Sequence, residues 1–334
     1  MPVARPLIPP AVSPADVLGR VTAPPGVPRF LWESALVGPV GEFLSRPGGQ
    51  FRGRLVRLAW ALTGRPDEPP PELLWVVELL HAGSLIVDDI EDGSVQRRGK
   101  AALHRLVGVP AALNMGNWLY FVPFDLLRTA GLPLAVELAA TRLCLDAVRV
   151  CHEGQALDLT ARIGDLHPSE VISVCRAIGE RKTGALMGMA AELGATAAEA
   201  DADTADALRQ FGERVGVALQ MLNDLGELTG AAGPVKHPED LTHGRITWPW
   251  AWAAERLPAA QFDALQVRGA NLTSGIGDAG VLARSLLAAL GPDPRAPVRR
   301  LLASAFDDLA DAVGTHPALD GVRDELDRLE RRYA

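Results

Sequence analysis

The sequence is short of the features that define several large protein classes. Three cysteines in 334 residues, Cys144, Cys151 and Cys175, are an odd and sparse set without metal-ligand spacing. They read as reduced core thiols of a cytoplasmic chain, not as a disulfide framework. Basic residues are the minority, with 33 Lys and Arg against 41 Asp and Glu and a net charge of −8, which argues against a nucleic-acid partner. No apolar run reaches about 18 residues without a charge or a proline, so no transmembrane segment is expected. Nor does a basic start followed by an apolar core mark a secretory signal. Strand-like alternation, internal repeats and glycine-rich nucleotide loops are missing as well. Apolar residues make up 48% of the chain, enough for one large helical fold with a sizeable core.

What stands out against this background is the stretch His81 to Lys100, HAGSLIVDDIEDGSVQRRGK. An apolar helix pattern from Leu73 to Val87 turns abruptly acidic at Asp88, Asp89, Glu91 and Asp92, then basic at Arg97 and Arg98. Positions i and i+4 of a helix share a face, so Asp88 and Asp92 can share Mg²⁺, a hard cation that takes oxygen ligands and shares them with phosphates. The two arginines suit bidentate capture of those phosphates. Carboxylates at a helix C-terminus oppose its dipole at a cost of up to ~1 kcal/mol, so helix stability alone does not explain the cluster.

The run DDIED followed by Arg97 and Arg98 resembles the first aspartate-rich motif of the trans-isoprenyl diphosphate synthases, the polyprenyl synthetase family. Its wider wording, from His81 through His104 and Gly108, is most similar to eukaryotic-type geranylgeranyl diphosphate synthases. The resemblance runs from about Phe30 to Ala254. It implies an all-α isoprenoid synthase fold, a single large helical bundle around a central cavity spanning 29–334, with the proline-rich 1–28 as a loose N-terminal arm. Helical patterns at every motif agree, since bundles build metal and cofactor sites between facing helices.

Other segments extend the resemblance. Gly154-Gln155-Ala156-Leu157-Asp158 is similar to the family's G-Q-x-x-D, which implies that Gln155 and Asp158 face the metal cluster. Lys182-Thr183-Gly184 matches K-T-G, implying Lys182 on the donor diphosphate and Thr183 near the reacting carbon. Lys236, Asp240, Gly244 and Arg245 resemble K-x-x-x-D-x-x-x-G-K, with arginine for the last lysine. Two places depart from the pattern. The second aspartate-rich motif reads Asn223-Asp224-Leu225-Gly226-Glu227, so that Asn223, Asp224 and Glu227 are altered but still oxygen-bearing metal-ligand candidates. In the G-K-x-x-R segment Arg52 matches the arginine, but Gly49 stands where the lysine should be. Either Arg54 reaches round to replace it or the acceptor has no diphosphate.

Chain length is expected to be set around the aspartate-rich helix. Gly83 and Ser84, one turn before Asp88, are small and are read as leaving a channel for a chain longer than ten carbons. Trp118, Tyr120 and Phe121 in NMGNWLYFVPF are read as its wall, although core packing is part of their role.

The mechanism implied by the resemblance has three Mg²⁺ ions neutralising a leaving diphosphate, with Arg97, Lys182 and Lys236 adding positive charge. Such electrostatic stabilisation is usually the largest catalytic contribution. The allylic cation is then captured by a π-nucleophile. If that is isopentenyl diphosphate, His81, Arg52 and Arg98 hold it. Because of Gly49 and Asn223, the sequence by itself leans to transfer of a C15–C20 chain to another small-molecule acceptor, such as indole or indole glycerol phosphate. The alternatives are a geranylgeranyl or farnesyl diphosphate synthase, a terpene cyclase and a non-catalytic partner subunit. A homodimer is the family's usual assembly.

Overall fold

The structure is a computed structural model that describes residues 17–48, 50–229 and 239–332; Gly49 and Lys236 lie outside the described residues. The fold is all-α. Its longer helices are α1 (Gly38–Ser45), α2 (Phe51–Leu62), α3 (Pro71–Glu91), α4 (Val109–Leu119), α5 (Val122–Thr129), α6 (Leu134–Thr160), α7 (Pro168–Gly179), α8 (Ala185–Ala197), α9 (Ala202–Thr229), α10 (Trp248–Arg256), α11 (Ala259–Thr273), α12 (Ala279–Leu290), α13 (Ala296–Val313) and α14 (Ala318–Arg332). A single two-residue ladder, β1 (Gln96–Arg97) with β2 (Lys100–Ala101), is the only sheet among the described residues. Two residues per strand are too few to leave an alternating pattern in the sequence.

The chain divides into two compact units: one runs to Arg57 and resumes over Glu68–Thr141, and the other takes Leu58–Asp67 and Arg142 onward. The boundary falls within α2 and within α6.

In the first unit, α3 is the central element. Pro71 opens it at a position where the missing N–H costs nothing, with Glu72 in its first turn. Leu73, Val76, Val77, Leu79, Leu80 and Ile86 are buried along it, against α4 and α5. Its end is a Schellman motif. Gly93 has φ 65°, and the Gly93 and Ser94 N–H groups return to the Ile90 and Asp89 carbonyls at 3.3 and 2.9 Å. The acidic cluster therefore sits on a firmly closed helix end. Upstream, helical backbone runs from Arg29 to Ser45 through a π-helical turn, Glu33–Val37.

Gly83 does not open a channel. A Cβ on Gly83 would lie 2.8 Å from the Gly116 carbonyl oxygen and 3.1 Å from Leu119 Cβ, and one on Gly116 would lie 2.9 Å from a Val87 methyl. The two glycines let α3 and α4 cross with their backbones in contact, so the space is filled by α4. Ser84 is half-buried, and its hydroxyl donates to the His81 carbonyl in its own helix at 2.9 Å.

In the second unit, α8 packs along α9, and α9 packs on α13. The acidic stretch before α9 has a structural purpose: Asp201 caps the helix, accepting the Thr204 N–H at 2.8 Å. Trp248, Trp250 and Trp252 are all buried in or at the start of α10, with Trp250 edge-on to Phe262 at 6.1 Å between ring centres. Cys144 and Cys175 are buried free thiols and Cys151 is half-buried. No helix among the described residues is long and apolar enough to cross a membrane.

Gly83→Ala should destabilise the protein by about 1–3 kcal/mol, the usual cost of overpacking a tight contact, whereas Ser84→Ala should have little effect. Denaturant unfolding of the two variants tests the crossing, and equal stability would show that α3 and α4 are not in backbone contact at Gly83.

Candidate active site

In the first unit the acidic end of α3 meets the hairpin that follows it. Asp89 is buried while Asp88 and Asp92 are partly exposed. Arg97 donates to Asp89 Oδ1 through Nε at 2.7 Å and through Nη2, and its Nη2 lies 3.7 Å from Asp88 Oδ2. Burial pushes the Asp89 carboxyl up, against the pull of Arg97. Burial likewise opposes the Arg97 charge, but Asp89, Asp88 and Asp92 hold its pKa above the ordinary guanidinium value. Asp89 is thus the anchor of Arg97, and Asp88 and Asp92 are left at the rim one helical turn apart. The sequence expected Arg97 to face a diphosphate; here its fork is turned onto Asp89.

The hairpin turn is Arg98-Gly99, with φ 55° and 77° and Arg97 opposite Lys100. Two left-handed residues between paired strands suit the right-handed strand twist. This turn carries the Arg98 guanidinium onto Gly48, where an added Cβ would meet Nη1 at 2.9 Å and Cζ at 3.0 Å. His81, half-buried on α3, is held well below the usual imidazole pKa by its burial and by the charges of Arg52, Arg98 and Arg97. Arg52 and Arg98 therefore lie near enough to His81 for their charges to act on it. A small pocket of about 40 Å³ opens beside them, lined by Arg46, Gly48, Gln50, Trp75, Glu78 and Arg98 among others. Glu78 accepts the Gly53 N–H at 3.0 Å. Of the expected chain-length wall, Tyr120 lies beside Gly83 and Trp118 is half-buried. Phe121, in contrast, is 69% exposed, so it does not stand against Gly83 as a wall.

In the second unit Asp158 near the end of α6 accepts Lys182 Nζ at 2.7 Å and Arg245 Nη1 at 3.0 Å on one oxygen. Gln155 is half-buried, three residues earlier on the same helix. Gly154 explains how α6 comes so near: a Cβ there would lie 2.5 Å from the Lys182 backbone nitrogen, a distance only glycine permits. Lys182 and Thr183 belong to a π-helical turn, Glu180–Gly184, of the kind that often marks functional positions. Thr183 donates its hydroxyl proton to Gln220 Oε1 at 2.7 Å, and Gln220 Nε2 donates to Asp224 Oδ1 at 2.8 Å. The other Asp224 oxygen accepts the Trp248 backbone N–H at 2.9 Å.

This arrangement corrects one expectation. Asp224 is buried with N–H donors on both oxygens, which makes it a brace for Gln220 and α10 instead of a metal ligand. Asn223 is exposed and Glu227 is half-buried one turn later, so the ligand candidates of the second motif are these two. Asp240, from the K-x-x-x-D segment, joins them, whereas Gln220 and, in the first unit, Arg46 are members that sequence reasoning missed. The Asp240 N–H donates to Glu227 Oε1 at 2.9 Å, and Arg245 Nε lies 3.9 Å from Asp240 Oδ1. Burial, followed by the charge of Asp240, pushes Glu227 up to about 9 and Asp224 to about 7. Only the pairing of Gln220 at i with Asp224 at i+4 offered a signal in the sequence.

Hard oxygen donors gathered in a buried setting fit a divalent cation such as Mg²⁺. Among the described residues no three His, Cys, Asp or Glu side chains converge closely enough to hold a metal by themselves. That suits an ion which keeps water and phosphate oxygens in its shell.

Comparison with known proteins agrees with this chemistry. The family model for polyprenyl synthetase matches residues 33–272. The geranylgeranyl pyrophosphate synthase of Penicillium janthinellum is 31% identical over 231 residues, 68% of this chain and 60% of that protein. Geranylgeranyl pyrophosphate synthase 2 of Zymoseptoria tritici is 29% identical over 232 residues, 69% of this chain and 68% of that protein. Among solved structures, a polyprenyl synthase from Caulobacter crescentus, complexed with calcium and isoprenyl diphosphate, superposes with a TM-score of 0.70 at 23% identity, covering 95% of this chain and 91% of its own. The fold is that of the isoprenoid synthases, and the chain belongs to the polyprenyl synthetase family, whose members are prenyl-transferring enzymes.

Proposed function

We propose that the protein is a Mg²⁺-dependent prenyl diphosphate synthase that condenses an allylic diphosphate with isopentenyl diphosphate, with a product of the geranylgeranyl class. The observation that carries this reading is the gathering of Arg52 and Arg98 around a neutral His81, an anion corner that indole itself does not require, while the relatives' names favour isopentenyl diphosphate over indole glycerol phosphate. The lean toward indole-like acceptors rested on Gly49 and Asn223; the names of the relatives favour elongation instead, and the arginines supply the charge that the missing lysine does not.

In this reading Arg52 and Arg98 bind the acceptor diphosphate, and His81, kept neutral, donates an N–H without adding charge. Asp88 and Asp92 on the first unit, and separately Asn223 and Glu227 on the second, are the residues that would hold Mg²⁺, which would supply neutralising charge to the departing diphosphate. Lys182, oriented by Asp158, and Arg97, oriented by Asp89, add positive charge as the allylic C–O bond breaks. Thr183 gives its proton to Gln220, so its oxygen presents lone pairs suited to an electron-poor allylic carbon. The new C–C bond forms at the isopentenyl alkene, and the released diphosphate takes the proton that is lost.

The active form is a homodimer in this proposal. Leu113, Phe121, Leu134 and Leu138, in the first unit, are large apolar side chains at 40 to 79% exposure, which suits a covered face better than a solvated one. Light scattering of the purified protein should give twice the chain mass, and a monomer at micromolar concentration would refute this part.

Mass spectrometry of products, with Mg²⁺ and farnesyl or geranyl diphosphate, should find elongated diphosphates when isopentenyl diphosphate is present. A prenylated indole, or a hydrocarbon formed without acceptor, would replace this reading with the transferase or the cyclase. Asp88→Ala and Asp92→Ala should each lower kcat/KM by roughly a thousandfold, the scale of a lost electrostatic contact at the reacting group, with the fold intact. Activity within tenfold of wild type in both would remove the metal role assigned to them.

A further inference from the structure

Arg46 is absent from the motif reading, yet its side chain is fully covered. Pro47 follows it and forces Arg46 out of the helical conformation, to φ −63° and ψ 145°. The helix α1 therefore ends, and the side chain of Arg46 turns back to Glu42, donating through Nε at 3.0 Å and Nη2 at 2.8 Å. Its Nη1 reaches across to the hairpin and donates to the Ala101 carbonyl at 3.0 Å and the Arg97 carbonyl at 3.3 Å. Glu42 completes the grip by accepting Lys100 Nζ at 2.8 Å. Both strands of the hairpin are thus tied to α1.

The hairpin needs such a tie. A two-stranded ladder is at best marginal by itself, and here each strand has two residues. Its turn also holds Arg98 in the left-handed region at φ 55°, which non-glycine residues disfavour. Without an external anchor nothing in the ladder keeps the Arg98 guanidinium over Gly48. The anchor has to be arginine, because only a planar fork serves a carboxylate and two carbonyls at once.

We infer that Arg46 is a positioning residue: by holding the Arg97 and Ala101 carbonyls it fixes the turn that presents Arg98 at the acceptor corner, and so sets the affinity for the acceptor diphosphate. The inference rests on the elongase reading only for the identity of that acceptor. Arg46 does not bind substrate in this scheme, since its guanidinium is engaged by Glu42 and by the two hairpin carbonyls.

Calorimetric titration with isopentenyl diphosphate in metal-free buffer isolates the acceptor corner from the ionisation step. Arg46→Met should weaken binding about tenfold, Arg46→Lys should do the same because charge alone cannot clamp two carbonyls, and neither should add to the loss caused by Arg98→Met. Hydrogen exchange should speed up at the amides of residues 96–102 and stay unchanged in α9. Wild-type protein that binds no isopentenyl diphosphate would defeat the acceptor assignment, while the exchange pattern would still judge the clamp. Wild-type binding that Arg46→Met leaves unchanged, losses that add to Arg98→Met, or exchange that rises throughout the chain would overturn the role of Arg46.

Discussion

The buried ion pair of Asp89 with Arg97 is the contact on which the first unit's site depends. A carboxylate taken out of water is costly unless a cation meets it, and burial does push Asp89 toward its neutral form. Arg97 meets that need, and because Arg97 is a strand residue of the hairpin, the pair fixes the hairpin to the end of α3. The Schellman closure at Gly93 and Ser94 sets the path from one to the other. Asp88 and Asp92 are left facing outward on a helix end that does not fray.

The second unit solves the same problem with different parts. Asp158 shares one oxygen between Lys182 and Arg245, and Asp224 is braced by Gln220 and the Trp248 backbone. Glu227, crowded by Asp240 in a buried setting, meets no comparable cation among the described residues and is driven up to about 9. The contrast separates carboxylates that organise protein from those that want an added positive charge. In each motif one aspartate holds its surroundings in place, Asp89 through Arg97 and Asp224 through Gln220 and the Trp248 backbone.

That division also bears on the departures from the family pattern. Asn223 loses a formal charge at an exposed position, where water and phosphate oxygens can complete a metal shell. Gly49 removes an ammonium from the family's sequence pattern, while the charges of Arg52 and Arg98 already act on His81. Neither loss empties the site of the charge it needs, which is why the elongating alternative fits better than the lean suggested by the two substitutions alone.

The sequence by itself determined the all-α fold and the family, and it marked the segments on which the proposed site residues lie. These are local properties: 3.6-residue periodicity, i and i+4 carboxylates, and short motifs whose spacing is read directly along the chain. Only the tertiary structure decided what each motif residue touches. It turned Gly83 from a channel lining into a helix crossing, because its partner Gly116 is distant in sequence. It made Asp224 a brace, since the Trp248 N–H that holds it comes from another helix. It brought Arg46 to the hairpin through backbone carbonyls, and a carbonyl carries no residue-type signature that a sequence can show.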